Sequence, residues 1–290
     1  MVKPTSINSP LREDFATADC SALSSPSTSL SRLRDFYELT KPRMNFLVVI
    51  TTAVGYYLAV RHSFEWLNLL NAIVGTTLTA AGASVLNQHA ERKYDARMRR
   101  TADRPLPAGR VASREALIFG IALALAGTSY LALAVNGLTA TLGAATLLSY
   151  VLIYTPMKRH TSLCTVIGAI PGAIPPVMGW TAVHNALSPE AVTLFIVLFL
   201  WQIPHFLAIA ILYRDDYAAA GFKMLPVVDH DMAATSRQIV LYSVSLIPAT
   251  LLPAALHMAG LVYFAWALLL GVAFASLSVT CARTRSRSDA

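Results

Sequence analysis

Charge is what this sequence has least of. Charged side chains make up 13% of the 290 residues, about half the ~25% of a typical soluble domain. Hydrophobic residues make up 55%. That balance excludes an ordinary soluble protein. Cysteine is also scarce. Cys20, Cys164 and Cys281 stand far apart, with no C-x-x-C and no zinc spacing, so neither a disulfide framework nor a cysteine metal site is expected. The N-terminal stretch lacks the apolar core of about 7–15 residues that a secretory signal needs. It is rich in Ser, Thr, Pro and mixed charge, with too little apolar surface to offset the entropy of ordering. Residues 1–35 therefore read as a disordered tail, and 36–290 as one domain. An organelle-targeting segment is disfavoured by Glu13, Asp14 and Asp19.

What the chain does have is long apolar runs. Eight are read, at about 44–60, 67–88, 114–134, 137–156, 162–183, 191–213, 237–257 and 260–281. Each is near the ~20 residues that cross a bilayer. Stretches such as Ala191–Leu200 are apolar all round, where a soluble bundle would show a polar stripe. The expectation is an all-α, multi-pass transmembrane bundle. The surplus of +7 could by itself suggest nucleic acid, but its placement argues otherwise. With eight spans, every one of the 23 basic residues except Arg61 falls on one side. By the positive-inside rule that side is cytoplasmic and holds both termini. No nucleic-acid partner is implied; the partner is the lipid bilayer.

Ionisable residues at membrane depth are expensive, and so are functional candidates. Asn87, Glu91 and Asp95 recur at i, i+4 and i+8 near the end of the second span. At about 100° per residue they drift only ~40° per step and share one face. An amide oxygen and two carboxylates there suit a hard cation such as Mg²⁺, which takes oxygen ligands and bridges to phosphates. The plainer alternative is a solvated helix end. Beyond it, Arg100 and Arg104 lie in a loop shaped by Pro105 and Pro107. They could hold phosphate oxygens or simply set topology. A second group closes the sixth span. His205 and, three turns on, Asp216 line up to within about 20° if the helix passes Pro204, and Gln202 sits one turn before His205. A polar column toward the mouth is the expectation, with a core histidine and a surface Asp216–Lys223 pair as the alternative. Tyr154 and Lys158 stand at i, i+4 across Pro156. On spacing alone they read as a belt tyrosine and a positive-inside lysine. Gly168 and Gly172 permit close helix contact, and Pro171, Pro175 and Pro176 require a break in the fifth span.

Three blocks carry a resemblance: NQHAERKYDARMRRTADRPLPAG, YTPMKRHTSLCTVIGAIPGAIPPVMGW and LFLWQIPHFLAIAILYRDDYAAAGFKMLPVV. In this order they resemble UbiA-type intramembrane prenyltransferases and, within them, the haem O synthase (protohaem IX farnesyltransferase) branch. The likeness runs from about Leu39 to the end. It implies a helical bundle around a central cavity, usually of nine spans where eight are read here. It implies a first acidic motif at Asn87, Glu91 and Asp95, a second at Asp216 with Asp215, and metal held by these residues. Tyr154 and Lys158 become a pair near a diphosphate, as does Arg43, with Arg100, Arg104 and Lys223 aiding. His205 would contact haem. The D-x-x-x-D of many relatives is absent, since Ala219 and Ala220 follow the two aspartates. The implied reaction is transfer of a farnesyl group from farnesyl diphosphate to a vinyl of haem b, dependent on Mg²⁺. The implied setting is a bacterial inner membrane rather than a mitochondrial one, near haem A synthase or a terminal oxidase assembly. A quinone-precursor prenyltransferase would share the first motif only. A haem carrier would need neither the carboxylates nor the cation.

Overall fold

The computed structural model describes residues 29–61 and 63–284. Among them there is no strand. Of the expected tail, 1–28 lies outside the described residues, whereas 29–35 forms the first part of helix α1 (Ser29–Leu39).

The chain then runs through α2 (Pro42–Ala59), α3 (Trp66–Asp95), α4 (Ser113–Ala134) and α5 (Gly137–Leu148). A π-helical turn (Ser149–Tyr154) leads from α5 into the short α6 (Thr155–Met157). There follow α7 (Cys164–Ala173), α8 (Pro175–His184) and α9 (Pro189–Leu212). Two short helices, α10 (Arg214–Ala219) and α11 (Leu225–Val228), precede α12 (Ala233–Ala255) and α13 (Leu261–Thr284). Seven spans are long and apolar enough to cross a membrane: α3, α4, α5–α6, α7–α8, α9, α12 and α13. The count is one below the expected eight. The stretch read at 44–60 is helical as α2, but its first turn holds Arg43 and Asn45, which dilute its hydropathy.

Proline sets the irregularities. Pro156 has no N–H to give the carbonyl a turn earlier, and the turn before it widens to π geometry. The hydroxyl of Thr155 donates to the Tyr150 carbonyl at 2.8 Å within that turn. Pro175 and Pro176 divide the fifth apolar run into α7 and α8, as the proline cluster requires. Small residues let backbones approach. A Cβ on Gly82 would strike the backbone of Ala124 on α4, and one on Gly179 would strike Thr52 and Tyr56 on α2. Thus α3 packs on α4, and α2 on α8. Gly168 abuts Tyr154, and Gly172 abuts Gln202, so α7 is held against the π turn and α9. Polar pairs join further spans: Thr139 with Thr181 at 2.9 Å and Ser243 with Ser278 at 2.8 Å.

The start of α12 depends on Asp229. Its Oδ2 accepts both the Thr235 N–H and the Thr235 hydroxyl at 2.7 Å. Burial alone would raise this carboxyl, but the Thr235 bonds outweigh it and hold it below the ordinary carboxylate range. A depressed pKa contributes stability above the unfolded value, and that stability is lost as pH falls through the folded one. Asp229→Ala should cost about 1 kcal/mol, the usual worth of a capping side chain. Thermal unfolding in detergent should show the deficit at neutral pH. It should shrink on acidification below the ordinary carboxylate range, and a constant deficit would contradict the assignment.

Candidate functional site

The cationic end of the bundle gathers the C-terminus of α3, the junction of α1 and α2, α6, the loop after α3 and the α10–α11 segment. Asn87, Glu91 and Asp95 share one face of α3, as their spacing predicts, and all are buried. Each meets a different cation or donor. Glu91 accepts from Lys158 Nζ at its Oε2 (3.1 Å), and the same ammonium lies 2.8 Å from Oε1. Asp95 pairs with Arg104 at 2.9 Å. The Asn87 carbonyl oxygen accepts from Lys41 Nζ at 3.1 Å, and its NH₂ donates to the Thr155 hydroxyl at 3.0 Å. Thr155 thus fixes which way the Asn87 amide points. Its other bond, to Tyr150, belongs to the π turn, so that turn and the α3 motif are joined through one hydroxyl.

Three basic side chains face two carboxylates, and an added anion would favour the charged form of the third, Lys41. The acids support Lys41, but burial and the charges of Arg104 and Lys158 prevail and lower it to about 7. Lys158 behaves oppositely. Burial pulls it down, yet Glu91 and Tyr154 hold it well above the ordinary lysine value. Its ammonium sits 4.6 Å over the Tyr154 ring and 5.8 Å from the Phe222 ring. Tyr150 and Tyr154 lie with ring centroids 5.3 Å apart. Beside them a cavity of about 220 Å³ is lined by Glu91, Tyr94, Val151, Thr155, Arg159 and Phe222.

The other expected residues divide. Arg104 reaches the acids; Arg100 instead lies 4.8 Å over the ring of Tyr213, just before α10. Phe222 packs on Tyr94 at 5.6 Å, and the Lys223 N–H donates to the Lys158 carbonyl at 2.7 Å. The α10–α11 segment is therefore seated on the site, but through Lys223's backbone, with its side chain exposed. Asp215 is exposed and Asp216 half-buried on α10, and Asp216 forms no ion pair among the described residues. No group of three or more His, Cys, Asp or Glu side chains converges among those residues, so neither Asp215 nor Asp216 joins Glu91 and Asp95.

The polar column does not form. Gln202 is buried against α7, whereas His205 is exposed and stacks on Trp201 at 4.8 Å. Ile203, Leu207, Ala210 and Ile211 make the buried stripe of α9. At about 100° per residue His205 falls opposite that stripe. Arg43 is exposed, and the basic side chain that enters from this segment is Lys41.

Lys41 and Thr155 are the residues the sequence reading passed over. Lys41 precedes Pro42 at the start of α2 in left-handed backbone, φ 50°. That conformation turns the chain between α1 and α2. Proline after lysine marks a helix start, but nothing local says that the lysine points inward. Thr155 was hidden inside the Tyr154–Lys158 pair.

Removing one partner of a buried ion pair leaves an uncompensated charge and costs about 3–5 kcal/mol. Lys158→Met should destabilise the ligand-free chain by that amount in denaturant unfolding, and adding Glu91→Gln should recover most of it. Equal unfolding of the single and double variants would contradict a paired, buried Glu91.

The profile of the UbiA prenyltransferase family matches residues 48–290. The chain is 49% identical over 263 residues to a protein named protoheme IX farnesyltransferase from Solibacter usitatus, covering 88% of this chain and 90% of that one. It is 48% identical to one of the same name from Myxococcus xanthus, covering 84% and 82%. Among solved structures, a UbiA homolog from Archaeoglobus fulgidus bound to DMAPP and Mg²⁺ superposes with a TM-score of 0.66 at 17% identity, covering 82% of this chain and 86% of that one. A digeranylgeranylglyceryl phosphate synthase superposes at 0.74, also with 17% identity, covering 89% and 90%. The last two are likenesses of fold.

Proposed function

The chain belongs to the UbiA prenyltransferase family, and from that premise we propose that it transfers the farnesyl group of farnesyl diphosphate to a vinyl group of haem b, making haem O. The observation that carries the reading is the set of three cations, Lys41, Lys158 and Arg104, around a buried face of two carboxylates and an amide. It is supported by the shared name of relatives at 45–50% identity.

The acidic face fits a hard divalent cation. Asn87 Oδ1, Glu91 and Asp95 offer only oxygen, and Glu91 Oε1 is buried outside hydrogen-bond geometry despite the nearby ammonium. These residues would hold Mg²⁺; Asp216 on α10 does not converge with them in the ligand-free chain. Bound there, Mg²⁺ would supply charge neutralisation for the diphosphate. Arg104, Lys158 and Lys41 have a second role: they would turn toward the phosphate oxygens, Arg104 and Lys158 from the two carboxylates and Lys41 from the Asn87 amide oxygen, which frees these oxygens. The C–O bond at farnesyl C1 breaks, and its electron pair leaves with the diphosphate, an anion that these fixed cations stabilise. The Tyr150 and Tyr154 rings face the allylic cation, since aromatic faces attract cations. The terminal vinyl carbon bonds to C1, and water adds to the inner carbon and loses a proton. The product carries a hydroxyethylfarnesyl group. The enzyme is a multi-pass membrane protein. We place it in a bacterial inner membrane, with the cationic end cytoplasmic.

Membranes containing the chain should convert haem b and farnesyl diphosphate, with Mg²⁺, into a product of the mass of haem O. They should leave 4-hydroxybenzoate unchanged. Chelating the divalent cation, or substituting Asp95→Ala, should abolish turnover. Prenylated hydroxybenzoate would assign the chain to quinone chemistry. Substantial haem O from Asp95→Ala with Mg²⁺ present would sink the metal assignment.

A further inference from the structure

Helix α1 begins inside the expected tail and ends in the domain, and its surface divides into three sectors. At about 100° per residue, Asp35, Phe36, Leu39 and Arg32 form one face. It is fixed to the bundle: Asp35 pairs with Arg110 at 2.8 Å and Arg32 with Glu115 at 2.7 Å, and Glu38, from the neighbouring sector, also reaches Arg110 at 3.1 Å. Phe36 meets Phe119 edge-on at 5.1 Å, and Leu39 is fully buried beside Val85 and Leu106. A second sector, Ser31, Arg34 and Glu38, is polar. The third is Leu30, Leu33 and Tyr37, at i, i+3 and i+7, exposed at 78%, 66% and 64%. Nothing among the described residues covers it.

Three large apolar side chains aligned on one helix do not face water by default. Two features identify what covers them. Exposed apolar side chains resume at the start of α2 with Met44, Phe46, Leu47 and Ile50. That helix leads into the membrane bundle, so this surface is already lipid-facing. The polar sector adjoins the apolar one, centred about 100° round the helix from it, so that beside its own bundle the helix can turn Leu33 to lipid and Arg34 to water. Exposed Arg34 and Arg43 flank the apolar residues at headgroup level, where cations meet lipid phosphates.

We propose that α1 is an interfacial helix, with Leu30, Leu33 and Tyr37 inserted at the boundary of headgroups and acyl chains at the site-bearing end of the bundle. The placement gives Arg43 a partner outside the site. It also gives the site a tether to the bilayer surface. Leu39, the last residue of α1, accepts from Gln88 at 2.6 Å, and Lys41 two residues on reaches Asn87.

The test uses the full chain with C20S, which leaves Cys164 and Cys281, both buried. L33C and R34C are labelled separately with an environment-sensitive fluorophore, in vesicles of phosphatidylcholine and phosphatidylglycerol. The label at 33 should be blue-shifted relative to that at 34. It should be quenched by doxyl-labelled lipid and spared by iodide, and the label at 34 should show the reverse. Equal quenching of both labels by iodide would overturn the proposal. So would protection of residue 33 from both quenchers, which would mean that protein covers this face, either a second copy or the chain's own N-terminal residues. The readout needs no turnover, so it stands apart from the reading of the reaction.

Discussion

Two carboxylates buried at the end of a membrane helix must be compensated, and that constraint organises this end of the molecule. Glu91 and Asp95 could not stay charged there unpaired. Their partners come from separate parts of the chain: Lys158 beyond the π turn and Arg104 from the loop after α3. Lys41, at the junction of α1 and α2, adds a third cation through Asn87. Each cation reaches the face only if its own segment is held in place. The proline-shaped loop, the wide turn before Pro156 and the left-handed residue before α2 are the local means of holding them.

The same arrangement suits the proposed chemistry. Compensation by side chains rather than by water would leave the cations able to change partners if a phosphate-bearing substrate and a divalent cation arrived together. Lys158 illustrates this, since one ammonium touches Glu91 and lies over the Tyr154 ring. It stands between the acidic face and the aromatic wall where a charged leaving group would part from an allylic carbon. Thr155 links the two sides by bonding to both Asn87 and Tyr150.

Most of the bundle was legible in the sequence because apolar length and the segregation of Lys and Arg report directly on spans. Asn87, Glu91 and Asp95 were legible because helical spacing is local. What spacing cannot reveal is which way a side chain turns when several helices compete to bury it. His205 and Gln202 are three residues apart, yet the stripe of Ile203, Leu207 and Ile211 sends His205 outward. Arg43 was named from the resemblance, whereas the turn at Lys41 brings that lysine, not Arg43, to Asn87. Helix α1 was missed for a different reason. It is short and polar on two sides, and its order depends on Arg110 and Glu115, which lie more than 70 residues away.

The central claim is that the α3 face and its cations form one site for a diphosphate and a divalent cation together. Calorimetric titration of the detergent-solubilised chain with inorganic diphosphate tests it most directly. Binding should require Mg²⁺, and it should be lost in Asp95→Asn even with Mg²⁺ present. Diphosphate binding of equal strength with and without Mg²⁺, unchanged by Asp95→Asn, would contradict the account.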